Sequence, residues 1–330
     1  MGVSYGQSLL AYYADKSPRP FSAAFAITNK CNLRCSYCSC PYLNTKELDL
    51  KEIEILFRQL KKVGVLRLGI FGGEPLVRKD IGEVLALAKS FGFFISLNTN
   101  LNLYHRYKAQ LDCVDYFFTS LDGLPEKHIR NRGKNSLNGV HEAIQDIVDK
   151  GKKLTAICVV TEPDYESVEY LLDYAERTQI DIHFQAECFD AEKAGRDSSV
   201  MVFQDEMKEF WKHILLLKKN GKPITTSRAS LDYIINWENY QKTSLYDPNV
   251  KCAAGRGFLF VESDGKGYAC TYIKGQEKIE GIDLLKENWN EKFNGETPCS
   301  KCIVGSHLEF NLLYQKPFSA VRDALEKIKM

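Results

Sequence analysis

The amino-acid sequence predicts an α/β fold built on a parallel sheet, followed by a smaller C-terminal extension. Over residues 23–186, short apolar runs alternate with longer segments whose apolar residues recur at helical spacing. Six strands in strict alternation with helices indicate parallel pairing through right-handed crossovers. After residue 190 this alternation ends and turn-rich sequence begins. The sequence therefore divides into a repeating part at 1–190, a helical connector at 191–250 and an extension at 251–330.

Each element follows from its own pattern. The run at 23–28 is continuously apolar, as expected for a strand that is buried on both faces. The predicted strands are 23–28, 66–71, 93–98, 116–120, 154–160 and 182–186. The predicted helices of the repeating part are 49–63, 80–91, 103–111, 137–149 and 165–177, after an amphipathic segment at 8–16. Beyond a polar, turn-like stretch at 191–200 we expect helices at 204–219 and 227–240, a hairpin of 258–262 and 267–272 around the turn 263–265, and a final helix at 313–328.

Composition limits the classes of partner. With 330 residues, of which 44% are hydrophobic and 26% charged, the chain can bury a full core. A formal net charge of +1 and the absence of a basic, aromatic-rich track argue against nucleic acid as a partner. We find no secretory signal and no apolar stretch long enough to span a bilayer. Eleven cysteines in such a sequence predict a reducing, cytoplasmic location.

Three cysteines, Cys31, Cys35 and Cys38, lie within eight residues directly after the first predicted strand. Three thiolates can hold three irons of a 4Fe-4S cluster and leave the fourth iron without a protein ligand, whereas a structural cluster or zinc site normally takes four. A zinc knuckle that borrows Cys40 is the alternative, because cysteine spacing alone does not identify the metal. Otherwise we expect the solitary cysteines to be packed side chains, namely Cys40, Cys113, Cys158 and Cys188.

Short polar motifs follow the next three predicted strands, at the end of a parallel sheet where ligands gather. Gly72, Gly73 and Glu74 precede a proline after the second strand. The third strand leads into an Asn-Thr-Asn turn and the fourth into a Ser-Leu-Asp-Gly turn. Ordinary turn and helix-cap roles are the alternative for these polar residues.

Together, these motifs resemble the signature of the radical S-adenosylmethionine (radical SAM) superfamily over about the first 190 residues. The resemblance implies a partial (β/α)6 barrel of the TIM type. It also implies that Cys31, Cys35 and Cys38 hold a 4Fe-4S cluster whose open iron is chelated by S-adenosylmethionine. An electron passed from the reduced cluster into the sulfonium would give a 5'-deoxyadenosyl radical that abstracts a substrate hydrogen.

The same resemblance implies a set of cofactor contacts. Gly72, Gly73 and Glu74 would hold the amino group of the methionine moiety, and Tyr37 lies at the aromatic position beside adenine. The resemblance also implies an arginine near residue 130 that pairs with the carboxylate of the cofactor, since a guanidinium can bind a carboxylate through two hydrogen bonds. The spacing does not decide between Arg130 and Arg132. The implied contacts to ribose and carboxylate therefore come from Asn98, Asn100, Ser120, Asp122, Arg130 and Arg132.

A second group of cysteines, Cys252, Cys270, Cys299 and Cys302, lies in the extension. It resembles the twitch variant of the SPASM extension found in the same superfamily, which implies one auxiliary 4Fe-4S cluster. Four thiolates would leave no iron for substrate, so we expect electron transfer with a substrate radical or structural support. A structural zinc site is the alternative that the sulfur spacing permits.

The sequence thus predicts an enzyme that oxidises or couples a small-molecule substrate and takes electrons from a low-potential donor such as flavodoxin or ferredoxin. Peptide maturation and lipid or isoprenoid modification are alternatives. Peptide maturases commonly carry a recognition domain before the barrel, whereas 30 residues precede Cys31. A two-cluster electron carrier would leave the Gly-Gly-Glu-Pro motif unexplained. The side chains that would face substrate, unless they are ordinary polar residues, are His183, Gln185, Glu187, Arg228, Tyr233, His307 and Glu309.

Overall fold

The computed structural model describes residues 19–187, 204–240, 242–249, 252–273 and 280–315. Each predicted strand of the repeating part forms, and the prediction of an α/β fold is confirmed. The strands are β1 (Ser22–Thr28), β2 (Arg67–Gly72), β3 (Phe94–Asn98), β4 (Tyr116–Ser120), β5 (Lys153–Val160) and β6 (Asp181–Ala186). The helices between and after them are α1 (Leu50–Val63), α2 (Ile81–Ser90), α3 (Tyr104–Tyr107), α4 (Pro125–Arg132), α5 (Val140–Asp149) and α6 (Tyr165–Thr178).

The described residues form two compact units. The first is drawn from 1–34, 40–118 and 253–298, and the second from 35–39, 119–252 and 299–330. In the first unit β1 pairs with β2, β2 with β3 and β3 with the start of β4, all in parallel. In the second unit β5 and β6 pair in parallel, and Leu121 N donates to Ile157 O beyond the end of β4. Over the strands that the structure describes, the sheet is mostly parallel and is not closed.

Within the described residues, the later part of the chain adds short strands and four helices. The predicted hairpin forms from β8 (Phe258–Val261) and β9 (Lys266–Tyr268), with Gly265 at φ +86° in the turn. In the first unit β8 also pairs in parallel with β1, so the hairpin extends the main sheet. The other strands are β7 (Ser244–Leu245), β10 (Ile282–Asp283) and β11 (Lys301–Cys302). The helices are α7 (Gln204–Lys219), α8 (Arg228–Ile235), α9 (Trp289–Lys292) and α10 (Gly305–Gln315).

Helix α1 shows how the sequence determines an element and its packing. Asp49 and Glu52 form a capping box at its start, and Gly64 ends it in the left-handed conformation at φ +104°. Its apolar stripe is buried, with Phe57 packed edge-on against Phe25 and against Phe93. Helix α1 is therefore fixed against the strands of the first unit.

Three predicted helices differ from the structure. The segment 103–111 forms only the short α3 before a 3-10 turn at Gln110–Cys113, and the segment 227–240 ends as a helix at Ile235. The C-terminal helix begins at Gly305, eight residues before its predicted start. The sequence analysis also missed α4, because the buried face of that helix is polar and leaves no apolar periodicity to detect. Pro125 at its first turn was the available signal.

Several predictions lie outside the described residues: the amphipathic segment 8–16, the polar stretch 191–200, Cys188 and the predicted helix beyond residue 315. Among the described helices, none has the length and apolar character needed to cross a membrane.

Candidate active site

The Gly-Gly turn after β2 clamps the segment that leads from β1 to the first cysteine. Gly73 N donates to Thr28 O at 2.7 Å. A Cβ on Gly73 would lie 2.7 Å from the carbonyl carbon of Lys30, and one on Gly72, whose φ is +142°, would overlap the carbonyl oxygen of Thr28. Only glycine permits such close approach of two backbones. The turn therefore fixes the main chain directly before Cys31.

Glu74 fastens this turn to the loop after β3. Its side chain is 1% exposed, and its Oε1 accepts hydrogen bonds from Leu76 N at 2.9 Å and Thr99 Oγ1 at 2.7 Å. Its Oε2 accepts from Asn100 N at 2.7 Å. Burial raises the pKa of Glu74 to about 7 although these three donors favour the carboxylate. Both oxygens of Glu74 are thus engaged by the protein itself.

Asn32, which lies between the first two cysteines, contacts the same loop. Asn100 Nδ2 donates to Asn32 Oδ1 at 2.8 Å, and Asn32 Nδ2 donates to Asn102 Oδ1 at 3.4 Å. The loop is held in this shape by Leu101 at φ +62°, a left-handed conformation rare for leucine. The polar turn after β3 and the start of the cysteine loop therefore form one hydrogen-bonded group in the first unit.

The three clustered cysteines are thiols, since no disulfide joins the described cysteines. In the first unit Leu33 N donates to Cys31 Sγ at 3.4 Å. In the second unit Cys38 N donates to Cys35 O at 3.1 Å, which closes a turn. Burial raises the pKa of Cys35, Arg132 opposes that rise, and the nearby Cys38 adds to it.

A buried ion pair lies beside this turn in the second unit. Arg132 Nε donates to Asp122 Oδ2 at 2.8 Å and Arg132 Nη2 donates to Oδ1 at 2.9 Å. Tyr37 Oη donates to Asp122 Oδ2 at 2.8 Å, and the Arg132 guanidinium lies 5.3 Å from the Tyr37 ring centroid. Burial alone would raise the pKa of Asp122, but Arg132 and Tyr37 outweigh it and hold the pKa below its usual value. Asp122 is therefore an anion within the protein interior.

The polar face of α4 supports this pair. Asp122 N donates to His128 Nδ1 at 3.2 Å, and burial together with Arg132 lowers the pKa of His128 to about 4. His128 is accordingly a neutral imidazole near pH 7. On the same helix, Lys127 Nζ lies 3.0 Å from Asp164 Oδ2, which joins α4 to the residue that caps α6.

The remaining predicted cofactor contacts lie at strand ends or on the surface. Asn98 and Ser120 are the half-buried last residues of β3 and β4. Arg130 is exposed and pairs with Glu162, whereas Arg132 is buried. Of the two arginines, only Arg132 therefore has a guanidinium held inside the protein.

Two cysteines of the extension meet at one side chain in the second unit. Cys252 Sγ donates to Asn311 Oδ1 at 3.5 Å, and Asn311 Nδ2 lies 4.0 Å from Cys302 Sγ. Cys299 is half-buried in the same unit. Cys270 belongs to the first unit, at the end of the hairpin that carries β9.

The donor chemistry of both cysteine sets fits iron-sulfur clusters. Thiols are soft ligands, and the backbone N–H groups of Leu33 and Tyr272 point at the sulfurs of Cys31 and Cys270, at 3.4 and 3.2 Å. Such contacts stabilise thiolate ligands and tune the bound cluster. Across the described ranges, no three side chains of His, Cys, Asp or Glu lie close enough to hold a single metal ion. Both ligand sets therefore stay predictions from spacing.

The solitary cysteines have individual surroundings. Cys158 is buried, and burial raises the pKa of its thiol, which confirms a packed side chain. Cys40 is half-buried and its thiol donates to Asn29 Oδ1 at 3.2 Å, while Cys113 donates to Gln110 O at 3.5 Å.

Several candidates for substrate contact gather around the start of α10 in the second unit. His183 Nδ1 lies 3.3 Å from the hydroxyl of Thr225, and a Cβ on Gly305 would approach His183 and Gln185 at 3.0 Å. Glu309 Oε1 accepts from Ser227 N at 2.7 Å, at the start of α8. The other four candidates also lie in this unit. Glu187 is buried and Arg228 begins α8. Burial raises the pKa of Tyr233 and lowers the pKa of His307 to about 4.

The sequence analysis missed four polar residues that build the site: Asn32, Thr99, His128 and Asn131. Two signals were available. Thr99 lies between two predicted contacts, and His128 and Arg132 are four residues apart, so they share one face of a helix.

Comparison with known proteins places the repeating part in a family. Residues 25–175 match the model of the Radical SAM superfamily. A probable GTP 3',8-cyclase of Methanothermobacter thermautotrophicus is 35% identical over 146 residues, which are 42% of this chain and 47% of that protein. A probable GTP 3',8-cyclase of Thermococcus kodakarensis is 33% identical over 143 residues, 41% of this chain and 46% of that protein. The chain thus spans about half the length of these relatives.

Solved structures share the fold at low sequence identity. SuiB of Streptococcus suis, bound to S-adenosylmethionine, aligns with a TM-score of 0.63 and 17% identity over 89% of this chain and 68% of that one. Native anSMEcpe, with bound S-adenosylmethionine, aligns with a TM-score of 0.63 and 20% identity over 84% of this chain and 81% of that one. Both alignments extend well beyond the residues that the family model matches.

Proposed function

Because residues 25–175 match the model of the Radical SAM superfamily, we propose that this chain cleaves S-adenosylmethionine reductively and abstracts hydrogen from a carbon atom of its substrate. The observation that carries the proposal is the family match over residues 25–175, which includes the three clustered cysteines and the Gly-Gly-Glu-Pro turn. The clamp between that turn and the segment before Cys31 supports it, because it fixes the main chain that leads to the first of these cysteines.

We assign Cys31, Cys35 and Cys38 as the ligands of the catalytic cluster. A 4Fe-4S cluster on three thiolates supplies an open iron for S-adenosylmethionine and the electron that generates the 5'-deoxyadenosyl radical. The N–H group of Leu33 stabilises the thiolate of Cys31, and the turn between the other two cysteines sets their separation. The chain's contribution is thus to hold thiolates in place with backbone contacts.

The polar loops of the first unit would orient the cofactor. Gly72 and Gly73 would offer backbone carbonyl groups to the amino group of the methionine moiety, because glycine has no side chain of its own to block such an approach. Glu74 orders the loop after β3 through its three hydrogen bonds, so Asn98 and Asn100 are presented in a fixed conformation. In the second unit Tyr37 would lie against adenine and Ser120 would contact the ribose.

A small molecule is the substrate class that we favour. The sequence identity with probable GTP 3',8-cyclases over the repeating part supports this class. The complete activity of those proteins is not assigned to this chain. Peptide maturation is the second candidate, supported by the fold shared with SuiB in its complex with the precursor peptide SuiA. Electrons would come from a low-potential donor such as flavodoxin or ferredoxin, in the cytoplasm.

The extension would hold an auxiliary 4Fe-4S cluster on Cys252, Cys270, Cys299 and Cys302. Its four ligands leave no iron for substrate, which favours electron transfer with the substrate radical and a net oxidation. Asn311, which contacts two of these thiols, would support the ligands from outside the cluster.

Cleavage of S-adenosylmethionine tests the proposed function. Wild-type protein, reconstituted anaerobically and reduced with dithionite, should produce 5'-deoxyadenosine and methionine without added substrate. Replacing Cys31, Cys35 and Cys38 with Ala should abolish both products, whereas Cys113→Ala, a cysteine outside both sets, should not. Persistent cleavage in the triple variant would contradict the assignment.

The substrate class is tested with fractionated cell extract. Ultrafiltration separates small metabolites from peptides and proteins above the filter limit, and each fraction is added to the reduced enzyme. A small-molecule substrate predicts that the filtrate accelerates formation of 5'-deoxyadenosine. Acceleration by the retained fraction alone would favour the maturase instead.

A further inference from the structure

Asp122 and Arg132, which the resemblance implies as cofactor contacts, form a buried ion pair with each other. Asp122 is fully buried and Arg132 is 7% exposed. The two parallel hydrogen bonds at 2.8 and 2.9 Å commit two of the guanidinium nitrogens to this carboxylate. One edge of the guanidinium, formed by Nε and Nη2, is therefore taken up by a carboxylate of the protein. The pair therefore serves something within the protein.

Three contacts connect the pair and its helix to the segment between the second and third clustered cysteines. Tyr37 Oη donates to Asp122 Oδ2 at 2.8 Å, and the Tyr37 ring lies 5.3 Å from the Arg132 guanidinium. One residue earlier, Ser36 N donates to Asn131 O at 2.7 Å. Asn131 Nδ2 also lies 3.4 Å from Asp122 Oδ2. All of these residues belong to the second unit.

The carboxylate of Asp122 also joins this segment to β5. Val159 N lies 3.4 Å from Asp122 Oδ1, and the thiol of Cys158 lies 3.7 Å from Asp122 O. The cysteine segment is thereby attached to a strand and to a helix through one buried anion. A surface loop held only by its own turn would lack such an anchor.

Both members of the pair act electrostatically on the cysteine segment. The carboxylate of Asp122 and the guanidinium of Arg132 both lie beside Tyr37, the residue directly before Cys38, at 2.8 Å from its hydroxyl and 5.3 Å from its ring centroid. In a buried environment such charges are weakly screened. Removing one member would therefore leave the charge of the other uncompensated near the cysteine ligands of the cluster. The two removals should shift the midpoint potential of the cluster in opposite directions.

We propose that Asp122 and Arg132 are positioning residues for the cysteine loop, which anchor Tyr37 and balance the charge beside the cluster that this loop holds. The inference rests on the proposed function, because it assumes a cluster on Cys31, Cys35 and Cys38. It gives Asp122 and Arg132 a role in support of the loop, in addition to the contacts with S-adenosylmethionine that the resemblance implies.

The first test uses iron retention. Tyr37→Phe removes only the hydroxyl that donates to Asp122 and should fold as the wild type does. Its loosened loop should release iron to a chelator several-fold faster than the wild type. Tyr42→Phe is the matched control, because Tyr42 is 66% exposed two residues after Cys40, and it should release iron at the wild-type rate. Equal rates for Tyr37→Phe and wild type would overturn the anchoring role.

The second test uses the midpoint potential of the cluster whose electron paramagnetic resonance spectrum responds to S-adenosylmethionine. Asp122→Asn should raise this potential, because it leaves a cation that favours the reduced cluster, and Arg132→Gln should lower it. The double variant, which removes both charges, should return toward the wild type. Shifts of the same sign, or no shift in folded variants, would overturn the charge balance.

The two tests separate failure of the inference from failure of the proposed function. If wild-type protein holds no cluster that responds to S-adenosylmethionine, the proposed function is wrong and the inference falls with it. If the wild type holds that cluster and the variants match it in iron release and midpoint potential, only the inference is wrong. Should the single charge variants fail to fold, the Tyr37→Phe chelation rate decides.

Discussion

Glu74 should make the stability of this protein depend on pH in a way that Glu74→Gln removes. Its carboxyl is 1% exposed, and burial raises its pKa from 4.5 to about 7 against the effect of three hydrogen-bond donors. Between these two values the native state binds more protons at this site than the unfolded state. The contribution of Glu74 to the free energy of unfolding is therefore fully present below about pH 4.5 and is lost as the pH rises through about 7.

The size of this loss follows from the two pKa values. Each pKa unit corresponds to about 1.4 kcal/mol, so the difference between 4.5 and about 7 amounts to roughly 3 kcal/mol. Glutamine keeps one oxygen as an acceptor but turns an N–H group toward one of the three donors. Glu74→Gln should thus be less stable than wild type at pH 5. Between pH 5 and pH 8 the difference should shrink by about 2.5 kcal/mol, because the unfolded carboxyl is already mostly ionised at pH 5.

Denaturant unfolding of the metal-free, reduced protein between pH 5 and pH 8 measures this difference. Glu126→Gln, which changes an exposed carboxylate on α4, is the control and should parallel the wild type at every pH. Comparison of variants removes the contribution of His128 and His307, whose lowered pKa values act in the opposite direction in all three proteins. A difference between wild type and Glu74→Gln that stays constant or grows with pH would refute the reasoning.

Two further predictions concern the turn after β2 and the extension. Gly73→Ala should destabilise the protein by about 2–3 kcal/mol, because the added Cβ would press on the backbone before Cys31. Gly69→Ala in β2 is the control and should cost about 1 kcal/mol or less, because its Cβ would have no neighbour nearer than 3.4 Å. Equal unfolding midpoints for the two variants would contradict the clamp. Replacing Cys299 and Cys302 with Ala should leave cleavage of S-adenosylmethionine largely intact and abolish conversion of substrate if the auxiliary cluster relays electrons. A fall in soluble yield together with both activities would indicate a structural site instead.

The sequence predicted the parts of the fold that depend on local apolar pattern. Buried strands such as β1 and the amphipathic α1 carry that pattern along the chain, and the structure has both. Helix α4 has a buried face of Lys127, His128, Asn131 and Arg132, so hydrophobicity alone could not reveal it. The parallel pairing of β8 with β1 joins residues more than 200 positions apart, and nothing in either strand specifies that partner.

The candidate site divides in the same way. Motif spacing identified the cysteines, the Gly-Gly turn and the polar turns, because those residue types are read directly from the chain. The roles of individual side chains depended on contacts that the sequence does not show. Glu74 is bound by the protein on both oxygens, and Arg132 is committed to Asp122. Residues such as Asn32 emerge only when the loops are brought together.

The most direct test of the central claim is electron paramagnetic resonance of the reduced Cys299→Ala/Cys302→Ala protein with and without S-adenosylmethionine, together with its iron content. The account predicts about four irons per chain and a spectrum that changes when S-adenosylmethionine is added, because one iron is open to it. Zinc in place of iron, an unchanged spectrum, or a change that persists after Cys31, Cys35 and Cys38 are also replaced would contradict it.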